Sequence, residues 1–357
     1  MAKDSMPSPC SRCGWSSLKF LSCAMMQPQT PQPKPSRLWT FAKVILAVIL
    51  IGIVFSQTSW GDLLALRSRI AWGWTALYVV LYFSLTAFKS YQYKKMLDLP
   101  IPYPRVVSVV VLQNGLSNIV ANSAGIVSYL VMLRGEQGVK VSRAAMVFVI
   151  TKIGDLFAVW LALLLSSFFI WQKISSLHSL TIVMLALIGL GLFTFLLVVA
   201  LRGRFVDILK SILTRAKLTH IGIIERGVAS LQALLEQERG SIYQMTLTAF
   251  LLSFVYFLMT FFWAYTQIKM FSVSLELFPF LFITAILQLV SIIPITILGG
   301  LGVTEASSIM LYPLFGIDPV SFAAVLIGMR VMFYLINLAV LLYLPLYSLV
   351  ENRKNKL

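Results

Sequence analysis

Apolar residues run in stretches about twenty residues long, with Lys and Arg gathered in the short gaps between them. Uninterrupted runs fall at about 38–57, 71–89, 145–170, 179–201, 242–267 and 320–348. Each is long enough to cross the hydrocarbon core of a bilayer as a helix. Two further runs, about 105–133 and 277–312, are broken by polar residues and glycines. Asn118, Asn122, Ser123 and Gly125 interrupt the first; Pro294, Gly299, Gly300 and Gly302 interrupt the second. Either each broken run crosses once, or each enters and returns as a hairpin of two half-helices.

Loop charge decides between these, because Lys and Arg in short loops mark the cytoplasmic side. Lys3, Arg12, Lys19, Lys34 and Arg37 face a single Asp4 in the N-terminal tail, which therefore starts inside. Two crossings return the chain to a basic gap with Lys89, Lys94, Lys95 and Arg105. Hairpins keep the next basic gap (Arg134, Lys140, Arg143) inside, together with the 202–240 loop and the Arg353, Lys354 and Lys356 tail. Single crossings put the first two of these outside. The fold expected is an all-α polytopic membrane protein with about six full transmembrane helices plus two re-entrant broken-helix hairpins. Residues 1–37 form a Pro-rich cytoplasmic tail, 38–350 the transmembrane domain and 351–357 a basic cytoplasmic tail, so both termini are cytoplasmic. The 202–240 loop carries amphipathic helical spacing, as in Phe205, Ile208, Leu209, Ile212 and Leu213.

The two broken runs also share a pattern. Gly125-Ile-Val-Ser128 is followed by Leu133, Gly138-Val139, Ala144-Ala145 and Lys152. Gly302-Val-Thr-Glu305 is followed by Leu311, Gly316-Ile317, Ala323-Ala324 and Arg330. Repeat one spans 105–170 and repeat two 277–348, and the intervening crossings invert one relative to the other. Paired Gly-interrupted segments in an inverted repeat point to a transporter site near the bilayer midplane. Broken backbone at that depth survives only against protein or a water-filled cavity, so both breaks are expected to face a shared interior.

Composition sets the class. With 59% hydrophobic and 12% charged residues and a mean hydropathy of +0.88, the chain leaves little length for a soluble catalytic domain. The net charge of +16 lies in loops beside apolar runs, where anionic lipid attracts it, so a nucleic-acid partner is not expected. Cys10 and Cys13 form a CxxC, and with Cys23 they sit in the N-terminal tail without a second pair or a nearby His. No metal site, P-loop or cofactor motif is found.

Charges inside membrane helices are costly and mark candidate function. Lys152 and Asp155 share a helix face, and Arg330 lies at a comparable depth in the last run. Glu305 follows the Gly299-Gly300-Leu301-Gly302 turn, whose free N–H groups and half-helix dipole favour an anion. These four groups are expected around one cavity, with Asn118, Asn122, Ser123 and Ser128 adding neutral hydrogen-bonding groups along the first break. The alternative is that they are ion pairs locking helices together.

The segments Asn118–Gly125 with Tyr129, Lys152-Ile-Gly-Asp155, and Pro294 through Gly299-Gly-Leu-Gly-Val-Thr-Glu305, with Arg330, resemble the lysylphosphatidylglycerol synthase transmembrane-region family, also described as flippase-like. The resemblance runs from about 40 to 350. It implies lipid movement across the bilayer, a plasma (inner) membrane location in a bacterium, and partners among lipid- or glycan-biosynthesis enzymes. Longer relatives add a soluble aminoacyl-transferase domain that this chain does not show, so lipid aminoacylation does not carry over. Relatives often have Arg at position 152 and an acidic residue at 128, where this chain has Lys and Ser. The expected activity is binding and translocation of an anionic or polyprenyl-phosphate-linked lipid. A lipid-modifying membrane enzyme and a non-catalytic assembly partner are the alternatives.

Overall fold

The computed structural model describes residues 70–98, 101–134, 139, 141–201, 242–292 and 302–354, and among them every regular element is helical. The tail with its cysteines, the run at 38–57, Lys140, the 202–240 loop and the stretch with Pro294, Gly299 and Gly300 lie outside the described residues. The helices are α1 (Trp72–Leu97), α2 (Tyr103–Ile119), α3 (Asn122–Arg134), α4 (Val141–Ile170) and α5 (His178–Leu201). They continue as α6 (Ile242–Met270), α7 (Leu277–Ile292), α8 (Val303–Leu311), α9 (Pro319–Leu341) and α10 (Tyr343–Lys354).

Three stretches of the described chain are long and apolar enough to cross a bilayer: Val141–Leu201, Tyr243–Met270 and Pro319–Val350. The first is a folded-back pair. Trp160 Nε1 donates to Leu185 O at 2.9 Å, although 25 residues of straight helix would separate them by about 37 Å. The 3-10 turn Trp171–Leu177 makes the reversal, and the Trp171 ring stacks on His178 at 4.0 Å. Outward faces carry exposed Leu187, Leu190, Phe193, Leu251, Phe262, Leu335 and Leu338. Apolar residues on both the inner and outer faces of the helices are what a lipid surround requires, since a water-facing helix would be polar on its outer side.

α1 is longer than its apolar run. Leu85, Phe88, Met96 and Leu97 continue the helical spacing until Asp98 adopts left-handed backbone (φ 48°) ahead of Pro100 and Pro102. Lys89, which loop charge placed in a cytoplasmic gap, is therefore a helix residue only 5% exposed.

α2 and α3 pack along each other, joined by Val120-Ala121, whose amides both donate to Leu116 O at 3.0 Å. At 17 and 13 residues they reach about 25 and 20 Å, short of the roughly 30 Å apolar core. Gly125 makes the close approach possible: a Cβ there would lie 1.9 Å from Ser117 Oγ and 2.5 Å from Gln113 O. α7 and α8, of 16 and 9 residues, also pack together. At the tip of the first break, Asn122 Nδ2 donates to Ser291 O near the end of α7 at 2.9 Å, so the two interrupted runs meet.

Three apolar clusters hold the helices together, one of them (Tyr78, Val111 and Ile336) tying α1, α2 and α9. Tyr93, Val110, Leu133 and Val147 tie α1, α2, α3 and α4; Leu163, Phe261, Phe282, Tyr312 and Phe322 tie α4, α6, α7 and the chain around α9. α1 and α4 pack most extensively on α6, and α9 packs on α2. α9 opens on Pro319 behind Asp318, whose carboxylate accepts from Ser321 N at 2.8 Å. That bond holds the Asp318 carboxyl below its ordinary range.

Candidate functional site

The first charged set joins α1, α4 and α6. Lys89 Nζ donates to both carboxylate oxygens of Asp155, at 2.9 and 2.8 Å, and Ser253 Oγ donates to Oδ1 at 2.8 Å. Gln92 Nε2 in turn donates to Ser253 Oγ at 2.9 Å. Gly154 permits this meeting, because a Cβ there would come within 2.8 Å of Ser253 Oγ and 3.0 Å of Ala249 O. Lys89 also lies over the Tyr256 ring, 4.3 Å from its centroid. Lys152, one turn before Asp155, reaches it only at 3.8 Å and keeps a side chain 54% exposed, against 6% for Lys89. Two ammonium groups and one carboxylate leave this set with a charge of +1.

The second set joins α8 and α9. Arg330 Nε donates to Glu305 Oε1 at 2.6 Å, and Nη2 donates to Thr304 Oγ1 at 2.7 Å. Glu305 Oε2 accepts from Gly302 N at 2.7 Å and from Thr304 Oγ1 at 3.0 Å. Glu305 is thus the first-turn acid that caps its own helix as well as the partner of Arg330. Gly302 holds φ at +85°, a conformation that side-chain-bearing residues resist, which lets the chain turn into α8. Both side chains are nearly enclosed, 13% exposed for Arg330 and 12% for Glu305. The Arg330 guanidinium lies 5.5 Å from the Phe333 ring and 5.6 Å from that of Tyr334.

Between the sets, neutral groups bond across the halves. Tyr82 OH donates to Asn337 Oδ1 at 2.6 Å, and Asn118 Nδ2 donates to the same oxygen at 2.7 Å and to Tyr82 OH at 3.3 Å. Tyr82 lies two turns before Lys89 on α1, and Asn337 two turns beyond Arg330 on α9, so this bridge stands about 10 Å along the helix from either charged set. Tyr78 and Tyr82 pack on Trp263, and Trp263 packs on Phe333.

The residues expected from sequence therefore distribute as follows. Asp155 meets Lys152 and Glu305 meets Arg330, but the bonds described form two sets rather than one four-membered cluster. Asn118 belongs to the neutral bridge, and Asn122 joins the two broken runs. Ser123 is exposed, and Ser128 donates to Gly125 O in its own helix at 2.8 Å. Tyr129 is fully enclosed, its ring against Tyr93 and Phe148. Gly299 and Gly300 lie outside the described residues.

Sequence reading missed Lys89, Ser253, Gln92, Tyr82 and Asn337. The hydroxyl and amide groups are ordinary in membrane helices and carry no signal in a single chain. Lys89 had one: unlike Lys94 and Lys95, it precedes a further two turns of helical spacing. Among the described residues, no three His, Cys, Asp or Glu side chains gather as metal ligands.

Apolar outer faces, three stretches of membrane-crossing length and ion pairs formed between helices define a polytopic integral membrane protein. The chain belongs to the lysylphosphatidylglycerol synthase transmembrane-region family, whose model matches residues 40–340. That places it among membrane proteins of lipid metabolism or translocation. No curated protein and no solved structure matches the chain.

Proposed function

We propose that the protein is flippase-like: it binds an anionic or polyprenyl-phosphate-linked lipid and carries the headgroup across the bilayer without changing it covalently. The observation that carries this reading is the pair of charged sets within apolar helices, separated by a neutral hydrogen-bonding bridge. A headgroup leaving one leaflet needs polar partners at intermediate depth, and lipid tails offer none. Substrate contacts are assigned to Lys152, Asp155, Glu305 and Arg330, to Asn118, Asn122, Ser123, Ser128 and Tyr129, and to the turns at Gly125, Gly299, Gly300 and Gly302.

The architecture proposed with it has six full spans and two re-entrant hairpins in an inverted repeat, with both termini in the cytoplasm and the plasma membrane of a bacterium as its location. The short α2–α3 pair and the contact between Asn122 and Ser291 support this arrangement. Enzymes that make envelope lipids or glycans are natural partners, since a carrier needs a supplier of cargo.

The closed bonding of Glu305 with Arg330 favours a second reading, in which these groups are helix locks of a non-catalytic assembly protein. Incubating the purified protein with a panel of labelled lipids, as a binding assay with product analysis, separates the readings. Retention of one anionic class without new product supports the carrier. Product formation points to an enzyme, and no selective retention points to the assembly role.

A further inference from the structure

Lys152 and Arg330 occupy matching places, yet their surroundings differ. Each lies eleven residues beyond the first residue of its helix, at about 17 Å along α4 or α9. Three residues after Gly302 comes Glu305, which neutralises Arg330 at 2.6 Å. Three residues after Gly125 comes Ser128, which has no charge to offer and turns its hydroxyl to its own helix. The nearest carboxylate left for Lys152 is Asp155 at 3.8 Å, already held by both contacts from Lys89 and by Ser253. An ammonium whose side chain is 54% exposed at this depth, in a set of charge +1, attracts an anion.

Resting on the carrier reading, we infer that the two charged sets have separate jobs: Lys152 takes the phosphate oxyanion of the lipid headgroup, while Lys89 and Asp155 position it. The Glu305–Arg330 set latches α8 to α9, so that of the four charged groups named above as substrate contacts only Lys152 touches the headgroup. The first repeat thus leaves an oxyanion to stand where the second places a carboxylate. Lys89 acts through Asp155. By occupying both carboxylate oxygens it keeps that group from closing fully on Lys152. Gln92 extends the hold, since its amide donates to Ser253 Oγ at 2.9 Å.

The test is lipid binding by the full purified chain in nanodiscs of phosphatidylcholine, titrated with phosphatidylglycerol. Lys152→Gln is expected to weaken phosphatidylglycerol binding about tenfold, the size of one lost charge-assisted contact, with an unchanged melting curve because the side chain is half exposed. Lys152→Arg should retain binding. Ser128→Glu, which installs the carboxylate that the second repeat has, should weaken it as Lys152→Gln does. Lys173→Gln, in the exposed pair with Glu276 at 2.6 Å, is the control and should change nothing. Full phosphatidylglycerol preference in Lys152→Gln or in Ser128→Glu overturns the inference while the carrier reading stands. No preference in the wild type, for phosphatidylglycerol or for a polyprenyl phosphate titrated in parallel, sinks the carrier reading itself. Excess inorganic phosphate should not displace the lipid. Displacement would mean that the site takes free phosphate, and the headgroup assignment fails.

Discussion

Lys89 and Asp155 make opposite demands on the folded state, and single substitutions should expose the difference. Asp155→Asn leaves the Lys89 ammonium, 6% exposed, facing an amide, with the Tyr256 and Tyr93 rings as its remaining support. Breaking a buried pair from one side costs about 3–5 kcal/mol, because the surviving charge stays desolvated. Lys89→Met leaves Asp155 with Ser253 at 2.8 Å and Lys152 at 3.8 Å, and the half-exposed Lys152 side chain is free to close in. The methionine also refills most of the space in the gap. That variant should cost about 1–2 kcal/mol, one partly replaced charge-assisted bond. Combining the two should cost less than Asp155→Asn alone, since no unpaired buried ammonium remains. Thermal unfolding in detergent, followed by size-exclusion recovery, reads the order. If Lys89→Met proves as damaging as Asp155→Asn, or the double variant is the sum of the two, the reasoning from partner number is wrong.

Other substitutions test the breaks and their orientation. Gly302→Ala places a Cβ on backbone at φ +85° and should destabilise by about 1–3 kcal/mol in the same melting assay. Gly125→Ala drives a Cβ into Ser117 Oγ and Gln113 O and should cost about 1–3 kcal/mol, with only partial relief from Ser117→Ala because the Gln113 contact is backbone. Exchanging Glu305 and Arg330 should not restore stability, because an arginine at 305 cannot accept the Gly302 N–H. Glu305→Gln should therefore melt above Glu305→Ala. With Cys10, Cys13 and Cys23 replaced, a cysteine at Arg134 should label only from the cytoplasmic side of cells. External labelling would rule out the re-entrant arrangement of α2 and α3.

Much of the fold was legible because membrane helices announce themselves by length and apolarity. The runs at 145–170, 179–201 and 242–267 correspond to α4, α5 and α6, with ends displaced by a few residues, and the run at 320–348 covers α9 and the first half of α10. The displaced ends mattered most in α1. A window that stops at the first lysine treats Lys89 as loop, whereas helical spacing continues to Leu97 until Asp98 and the following prolines end it. Of the site, the ionisable residues of the apolar runs were readable because charge is rare there. Their partners were not. Sequence places Lys152 and Asp155 on one helix face and so suggests a mutual pair, but Lys89, 66 residues away, wins the carboxylate with two short bonds. Ser253 and Asn337 reach their partners only through interhelical packing, which local periodicity does not encode.

Movement of a lipid between leaflets is the property on which the whole proposal stands. The decisive experiment reconstitutes the full chain into liposomes carrying trace fluorescent phosphatidylglycerol or, in parallel, equally labelled phosphatidylcholine. A membrane-impermeant quencher then reports the fraction of label reachable from outside over time. The expected result is that protein-containing vesicles expose nearly all of the anionic label, that phosphatidylcholine stays about half protected, and that Lys152→Gln slows the anionic lipid. Half protection of both lipids, and of a labelled polyprenyl phosphate run alongside, in vesicles holding folded wild-type protein would contradict a carrier role for this chain.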